Sequence, residues 1–484
     1  MTITSTLHNA LSGLAAVSRS ADVVSSNVAN ALTEGYARRE LSLSAQSLGG
    51  NGAGVSVDAV TRAVNQTLLA DRRLADAELA NADVRSAFLA QVEGRIGTPD
   101  DAGSLSARLT ELESALIEAA SRPDSEARLG SVLTAAKNVT KAVAAISGAI
   151  QQSRMEADSG IASAVNSLNG MLVEIRDLNV EITSARASGR DATALMDQRQ
   201  TLVDKVSEIV PVREVPRQGD QVALFTTGGA VLLEGTPARI GFTAVGVIAP
   251  DMTMTGGALF GLTLNGMPIS PSDTGVMGGG RLGALFAVRD DLAVTAQTQI
   301  DALARDLIGR FQSSAVDPTL GPGSPGLFTD SGNPLNVADE VGLSARLSVN
   351  ALADPSRGGS LWRLRDGLGA AMPGPVGDAT LLNALSAALA DPVTPASGSF
   401  GGAARSASGL AADILSQIAG ARQSAEDAQG YASARQEALT VLQLQDGVDT
   451  DREMQMLLVI EQAYAANARV IKTVDELIQQ LIGM

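Results

Sequence analysis

Gly278, Gly280 and Gly283 satisfy the G-x-G-x-x-G spacing, stand just before a helical stretch, and are followed by Asp301 at roughly the place of a ribose-binding acid. In a dinucleotide fold such glycines let the backbone approach a pyrophosphate at the helix N-terminus. That chemistry requires a strand leading directly into the glycines. Pro271, Ser272, Asp273 and Gly275 make the preceding segment a loop instead, so the residues read as a flexible hinge entering a helix. His8 is the sole histidine, and the chain has no cysteine, which removes thiolate nucleophiles, disulfides and Cys-ligated metal sites. Asp446, Asp449, Asp451 and Glu453 form an acidic cluster, but without the spacing and central glycine of an EF-hand loop. Thr450, Asp451, Arg452 and Glu453 read instead as a capping box opening a helix. These residues predict no catalytic group, no cofactor and no metal. A soluble helical nucleotide-binding protein or enzyme using the Gly278–Gly283 loop is the alternative.

The composition points the same way. Hydrophobic residues make up 45% of the 484 but aromatics only 2%, so the apolar matter is Ala, Val, Leu and Ile, suited to helix-helix contacts rather than deep pockets. With 53 acidic and 36 basic side chains, the net charge of -17 repels phosphate backbones and anionic lipid heads, which argues against nucleic-acid and membrane partners. The first charge is Arg19, and no secretory h-region or membrane-length apolar run precedes or follows it, so the chain reads as soluble and free of a Sec signal.

The elements that would position these residues are mainly helical. Apolar positions alternate by three and four at both ends: Ile3, Leu7, Ala10, Leu14, Val17, Ala21, Val24 and Val28, then Leu457, Ile460, Tyr464, Asn467, Ile471, Val474, Ile478 and Leu481. Each series is a seam that requires a partner. The polar Asn467 within the second is of the kind that fixes register. The expected fold is mainly α: a long helical bundle and a coiled coil of the N- and C-terminal segments, with a small β-hairpin region and a short irregular insertion.

The expected organisation runs along the chain as follows. Residues 1–60 give the N-terminal half of an inner terminal domain, with a helix stopping near Asn30 and a strand-like stretch over 41–57 punctuated by Gly49, Gly50, Gly52 and Gly54. Residues 61–211 form helical rods broken at Ser121–Asp124 and Ser188–Arg190, and residues 212–280 form short hairpins. A helix of the rod follows over 281–317, then a Pro- and Gly-rich variable insertion over 318–399. Residues 400–440 return to the rod, and 441–484 complete the terminal domain. Tyr36, with Arg38 and Arg39, is either a partner-binding patch or the exposed end of a turn, and Trp362 reads as a packing anchor for the insertion.

Several of these residues resemble a known family. Ala10, Ser12-Gly13-Leu14, Asn27-Val28-Ala29-Asn30, Gly35-Tyr36-Ala37-Arg38-Arg39, Gly54-Val55 and Arg62 are similar to the N-terminal motif of flagellar axial proteins. Leu195-Met196-Asp197-Gln198-Arg199 and Gly280-Arg281-Leu282-Gly283 resemble the flagellar hook-associated protein 1 family in particular. Gly447-Val448-Asp449, Gln462-Ala463-Tyr464 and Ala466-Asn467-Ala468-Arg469-Val470 are similar to its closing helix. The resemblance implies an extracellular structural protein that assembles as a ring joining hook to filament. It implies contact with copies of itself, with hook protein, with a second hook-filament junction protein, and with an export chaperone at the C-terminal segment. It also implies export by the flagellum's own type III apparatus. The assembly interface then comprises the seam residues named above other than Ala10 and Ala21, together with Asn27, Asn30 and Tyr36.

Overall fold

The computed structural model describes residues 3–48 and 51–483; Gly49 and Gly50 lie outside the described residues. In chain order the elements are α1 (Ile3–Ala29), β1 (Arg39–Leu48), β2 (Asn51–Arg62), α2 (Gln66–Ile96), α3 (Leu105–Ser121), α4 (Glu126–Ala187), α5 (Thr193–Ile209), β3 (Val212–Pro216), β4 (Val222–Thr226), β5 (Val231–Glu234) and β6 (Thr236–Pro237). Then come β7 (Ile240–Gly241), β8 (Leu262–Leu264), β9 (Met267–Ile269), α6 (Gly280–Ala287), α7 (Ala293–Phe311), β10 (Phe328–Asp330), α8 (Leu343–Arg346), β11 (Leu347–Val349), α9 (Arg363–Asp366), α10 (Thr380–Ala390), α11 (Ala407–Gln445) and α12 (Thr450–Ile482). The chain is mainly α, with small antiparallel sheets.

One compact unit gathers the chain up to Leu79, Asn166–Arg239 and the chain from Ala432. Here α1 packs against α12 on one side and against the β1–β2 hairpin on the other. A glycine allows the approach of the hairpin. A Cβ on Gly54, whose φ is +94°, would collide with Ser12, and the Ser12 hydroxyl accepts from Val55 N at 3.2 Å. The end of α4 turns into α5 through Gly189 in the left-handed region, with Arg190 N donating to Ala185 O at 2.8 Å and Gly189 N to Arg186 O at 3.0 Å, which satisfies carbonyls left open by the helix end. Ile182, Ala185, Ala192 and Met196 bury that corner. Strands β3, β4, β5 and β6 follow as an antiparallel meander.

The second unit holds Ala80–Val165 and Ile240–Tyr431. Ser104 caps α3 by accepting from Ala107 N at 3.2 Å, and Leu105, Leu109, Leu112 and Leu116 bury one stripe of that helix. The helical stretch expected over 61–211 is thus interrupted between Ile96 and Leu105, beginning at Gly97 with φ +78°. Likewise the helix expected over 281–317 is two helices joined by a π turn at Val288–Leu292. Arg289 in that turn is fully buried, donating to Asp158 Oδ1 at 2.7 Å and lying over the rings of Phe242 and Phe286. Widening the helix by one residue turns this guanidinium inward to its carboxylate, a geometry that a regular α-helical period does not encode. The stretch expected as an irregular insertion is folded: β10 pairs with β11, and α10 buries Leu382, Leu385 and Leu389 while packing against α3 and α7.

Candidate functional site at the paired terminal helices

Helix α1 begins and α12 ends this unit, and the two run side by side. On α1, Val24 is buried and Ile3, Leu7, Leu14 and Val17 are half-buried, whereas Val28 is exposed. Asn27 takes the buried place next to Val28, at 1% exposure. On α12, Ile460 and Val474 are buried, Asn467, Ile471 and Ile478 half-buried, and Leu457, Tyr464 and Leu481 exposed. The fold therefore covers five of the eight seam residues of α12 and leaves Tyr464, within the seam, exposed along with Leu457 and Leu481. Ala16 and Val23 on α1 are also buried, outside the seam pattern, and α1 packs against the hairpin as well as against α12. The cap of α12 is Asp449, not Thr450: its carboxylate accepts from Asp451 N at 2.9 Å and Arg452 N at 3.2 Å. Glu453, expected to complete the box, is buried and faces Arg38 at 3.8 Å.

Beside the seam lies a knot of polar contacts. Asn27 Nδ2 donates to Arg39 O at 3.0 Å, and its Oδ1 accepts from Arg39 N and from the Tyr36 hydroxyl, both at 2.9 Å. The amide thus bonds to the first residue of β1 as a neighbouring strand would, which is why a buried Asn is tolerated here. Tyr36 is half-buried with Arg39 over its ring, so it belongs to this internal knot rather than to an exposed turn end. Asn30 Nδ2 donates back to Ser26 O at 2.9 Å, closing the end of α1. Asp197 of α5 completes the knot: it accepts from Arg39 Nη2 at 3.0 Å, Arg62 Nε at 2.7 Å and Ala37 N at 3.4 Å. Burial lowers the Arg62 pKa, an effect that the adjacent Asp197 partly offsets.

The residues singled out for chemistry are used structurally. Asp301 is buried and accepts four hydrogen bonds, from Gln297 Nε2 (2.9 Å), Gly342 N (2.8 Å), Ser344 N (2.9 Å) and Ser344 Oγ (2.6 Å). It has no capacity left for a ribose. Around the glycine loop, a Cβ on Gly278 would stand 2.2 Å from Asp273 O, and Asp273 Oδ1 lies 3.3 Å from the Cβ position of Gly283. Those glycines therefore admit the protein's own backbone and carboxylate, not a phosphate. His8 is exposed on α1. Trp362 precedes α9 with Arg363 stacked 4.7 Å from its ring centroid.

The families this architecture matches follow from its two ends and its middle. Residues 7–36 match the family described as flagella basal body rod protein, and residues 445–484 match flagellar basal body rod FlgEFG protein C-terminal. Residues 89–315 match flagellar hook-associated protein FlgK helical domain. All three matched families are of bacterial flagellar proteins. Among curated proteins, the similarity is to flagellar hook-associated protein 1. The Bacillus subtilis protein of that name is 26% identical over 240 residues, 47% of this chain and 47% of that one. The Salmonella typhimurium protein is 25% identical over 244 residues, 49% of this chain and 44% of that one. The chain spans about half the length of the curated relatives it matches. A solved flagellar hook junction protein FlgK from Burkholderia pseudomallei aligns with a TM-score of 0.41 at 22% identity, over 55% of this chain and 45% of that one.

Proposed function

We propose that this chain is a non-enzymatic structural protein of the bacterial flagellum that joins hook to filament, assembling as a ring through its paired terminal helices. The observation that carries this reading is the uncovered apolar surface of α12: Met454, Leu458, Val459, Leu477, Leu481 and Ile482 are all exposed while Ile460 and Val474 are sunk against α1. A one-sided helix pair with this much apolar surface in water is a surface awaiting neighbours. Its partners on this reading are copies of the same chain, hook protein, a second hook-filament junction protein, and an export chaperone holding the C-terminal segment. The net charge of -17 argues against nucleic acid and anionic membrane surfaces as partners. Among the described residues no helix is long and apolar enough to cross a membrane. The proposed location is extracellular, in the flagellum.

The test is reconstitution. Purified chain added to hook particles should cap their ends with rings visible by electron microscopy, and Leu458→Asp with Leu477→Asp should abolish ring formation without changing the helical content of the free chain. Rings forming equally well from the double variant would exclude α12 as the assembly surface.

A further inference from the structure

In the first unit, Arg62 from the end of β2, Arg186 from the end of α4, Arg199 from α5 and Arg217 after β3 line one cleft of about 270 Å³, together with Glu214 and Asp220. The carboxylates around it are already engaged: Asp197 by Arg39 and Arg62, Glu214 by Arg73 at 2.6 Å, Asp220 by Arg186 at 2.8 Å, and Glu234 by Arg217 at 2.7 Å. Arg199 is the exception. It is 7% exposed, and its hydrogen bonds run only from Nη1, to Asn179 Oδ1 at 2.7 Å and the backbone oxygen of Asp220 at 2.6 Å. No carboxylate is hydrogen-bonded to it, no hydrogen bond runs from its Nε or Nη2, and the residue lines the cleft.

A buried guanidinium without a bonded anion is costly, and burial lowers the Arg199 pKa, an effect that the charge of Glu214 opposes and that of Arg62 reinforces. The remedy is an anion in the cleft. We propose that this cleft is an anion-binding site that takes one oxyanion of carboxylate or phosphate size, held by the open edge of Arg199 with Arg62 behind it and Arg186 and Arg217 at the rim. The cleft lies at the small end of ligand sites, which run from roughly 300 to 1,000 Å³, and so suits a small oxyanion. Guanidinium geometry suits a planar or tetrahedral oxyanion through paired N–H donors. In a chain of net charge -17 the cleft is a local inversion of sign, so the oxyanion is either a free small anion or the Asp or Glu side chain of a second copy. This proposal stands independently of the hook-junction reading.

Calorimetric titration of the full chain with inorganic phosphate, and separately with succinate, at constant ionic strength made up with chloride, tests it. At least one probe should bind with one-to-one stoichiometry. Arg199→Gln should weaken that binding by roughly tenfold or more, the loss expected for a charge-assisted hydrogen bond, with Arg199→Lys recovering part of it. Because Arg199 also holds Asn179, the rim variants Arg186→Gln and Arg217→Gln provide a second reading in an undisturbed interior, and each should weaken binding severalfold. Sedimentation of the wild type with and without succinate separates the sources: succinate that dissociates self-associated chain identifies the side chain of a second copy, and unchanged sedimentation identifies a free anion. Absence of binding by both probes, or equal binding by the wild type and all three Gln variants, would overturn the assignment.

Discussion

Asn467 of α12 lies over Gly13 of α1 so closely that a Cβ on the glycine would stand 3.1 Å from both Nδ2 and Oδ1 of the asparagine. The missing side chain at one position makes room for the polar one at the other. Because an asparagine in a seam fixes register, this contact sets how far along α1 the C-terminal helix docks.

The pair supports a double-substitution cycle. Gly13→Ala alone gains about 1 kcal/mol of helix propensity but presses on Asn467, so its net effect should be close to zero or destabilising. In an Asn467→Ala background the same change should stabilise by about 1 kcal/mol, read from urea unfolding. Equal effects in both backgrounds would show that the two side chains do not meet.

Removing the charge at Asp197 should release the knot that ties the end of α1 to α5. Asp197→Asn leaves Arg39 and Arg62 without their shared carboxylate and should cost about 3 kcal/mol of stability. Hydrogen exchange should then accelerate first between Asn27 and Arg39. Unchanged exchange there would assign the stability of the knot to Asn27 alone.

Asp301→Ala should loosen the segment around Gly342–Ser344, whose amides lose their acceptor at a cost of roughly 1–3 kcal/mol each. Limited proteolysis should find a new cleavage site there. The same variant and the wild type should both show no heat of binding with NAD or ATP; stoichiometric micromolar binding by the wild type would revive the glycine loop as a nucleotide site.

A pH dependence follows from Asp306. Burial raises its carboxyl pKa above the ordinary value, although its bond to Arg310 at 2.6 Å opposes the shift. A group that holds its proton more tightly when folded contributes stability below the unfolded-state pKa and loses it as pH rises through the folded value. Asp306→Asn lacks that loss. The wild type's stability relative to the variant should therefore be greatest in acid and decline toward neutral pH, measured by urea unfolding between about pH 3.5 and 7. A difference that grew with pH would reverse the assignment.

In the free chain, amides of α12 should exchange faster than those of α5, because α12 is covered along one seam only while α5 buries Met196, Arg199, Val203 and Val206 among its 17 residues. Equal protection would mean that α1 alone stabilises the terminal helix.

The periodic parts of this architecture were legible because a helix with one covered side writes that side into its sequence. Ile460, Ile471, Val474 and Ile478 recur at that spacing, and so do Leu129, Val132, Ala136 and Val139 on α4, all four buried. What stayed hidden needed contacts distant in sequence. Arg154, fully buried, donates to the backbone oxygens of Ala249, Met252 and Arg289, and nothing local marks it as an interior residue. Arg310 behaves in the same way, bonding the oxygens of Ala388, Asp391 and Arg405 from the middle of the second unit. Arg199 stood inside a recognisable motif, but its open donors could be seen only once α5 was placed beside Asp220. In a chain so poor in aromatics, arginine reaching to carbonyls supplies long-range cross-links that cores elsewhere draw from large rings.

The asparagine clasp between α1 and β1 has a mechanical consequence. Asn27 grips both backbone groups of Arg39, so tension along the chain passes from helix to strand through two parallel hydrogen bonds, bypassing residues 28–38. Within that stretch only the tip around the exposed Leu32 is slack in the load path and can be seated against a neighbour without altering how force leaves the helix, because Asn30, Tyr36, Ala37 and Arg38 are held by the contacts of the knot.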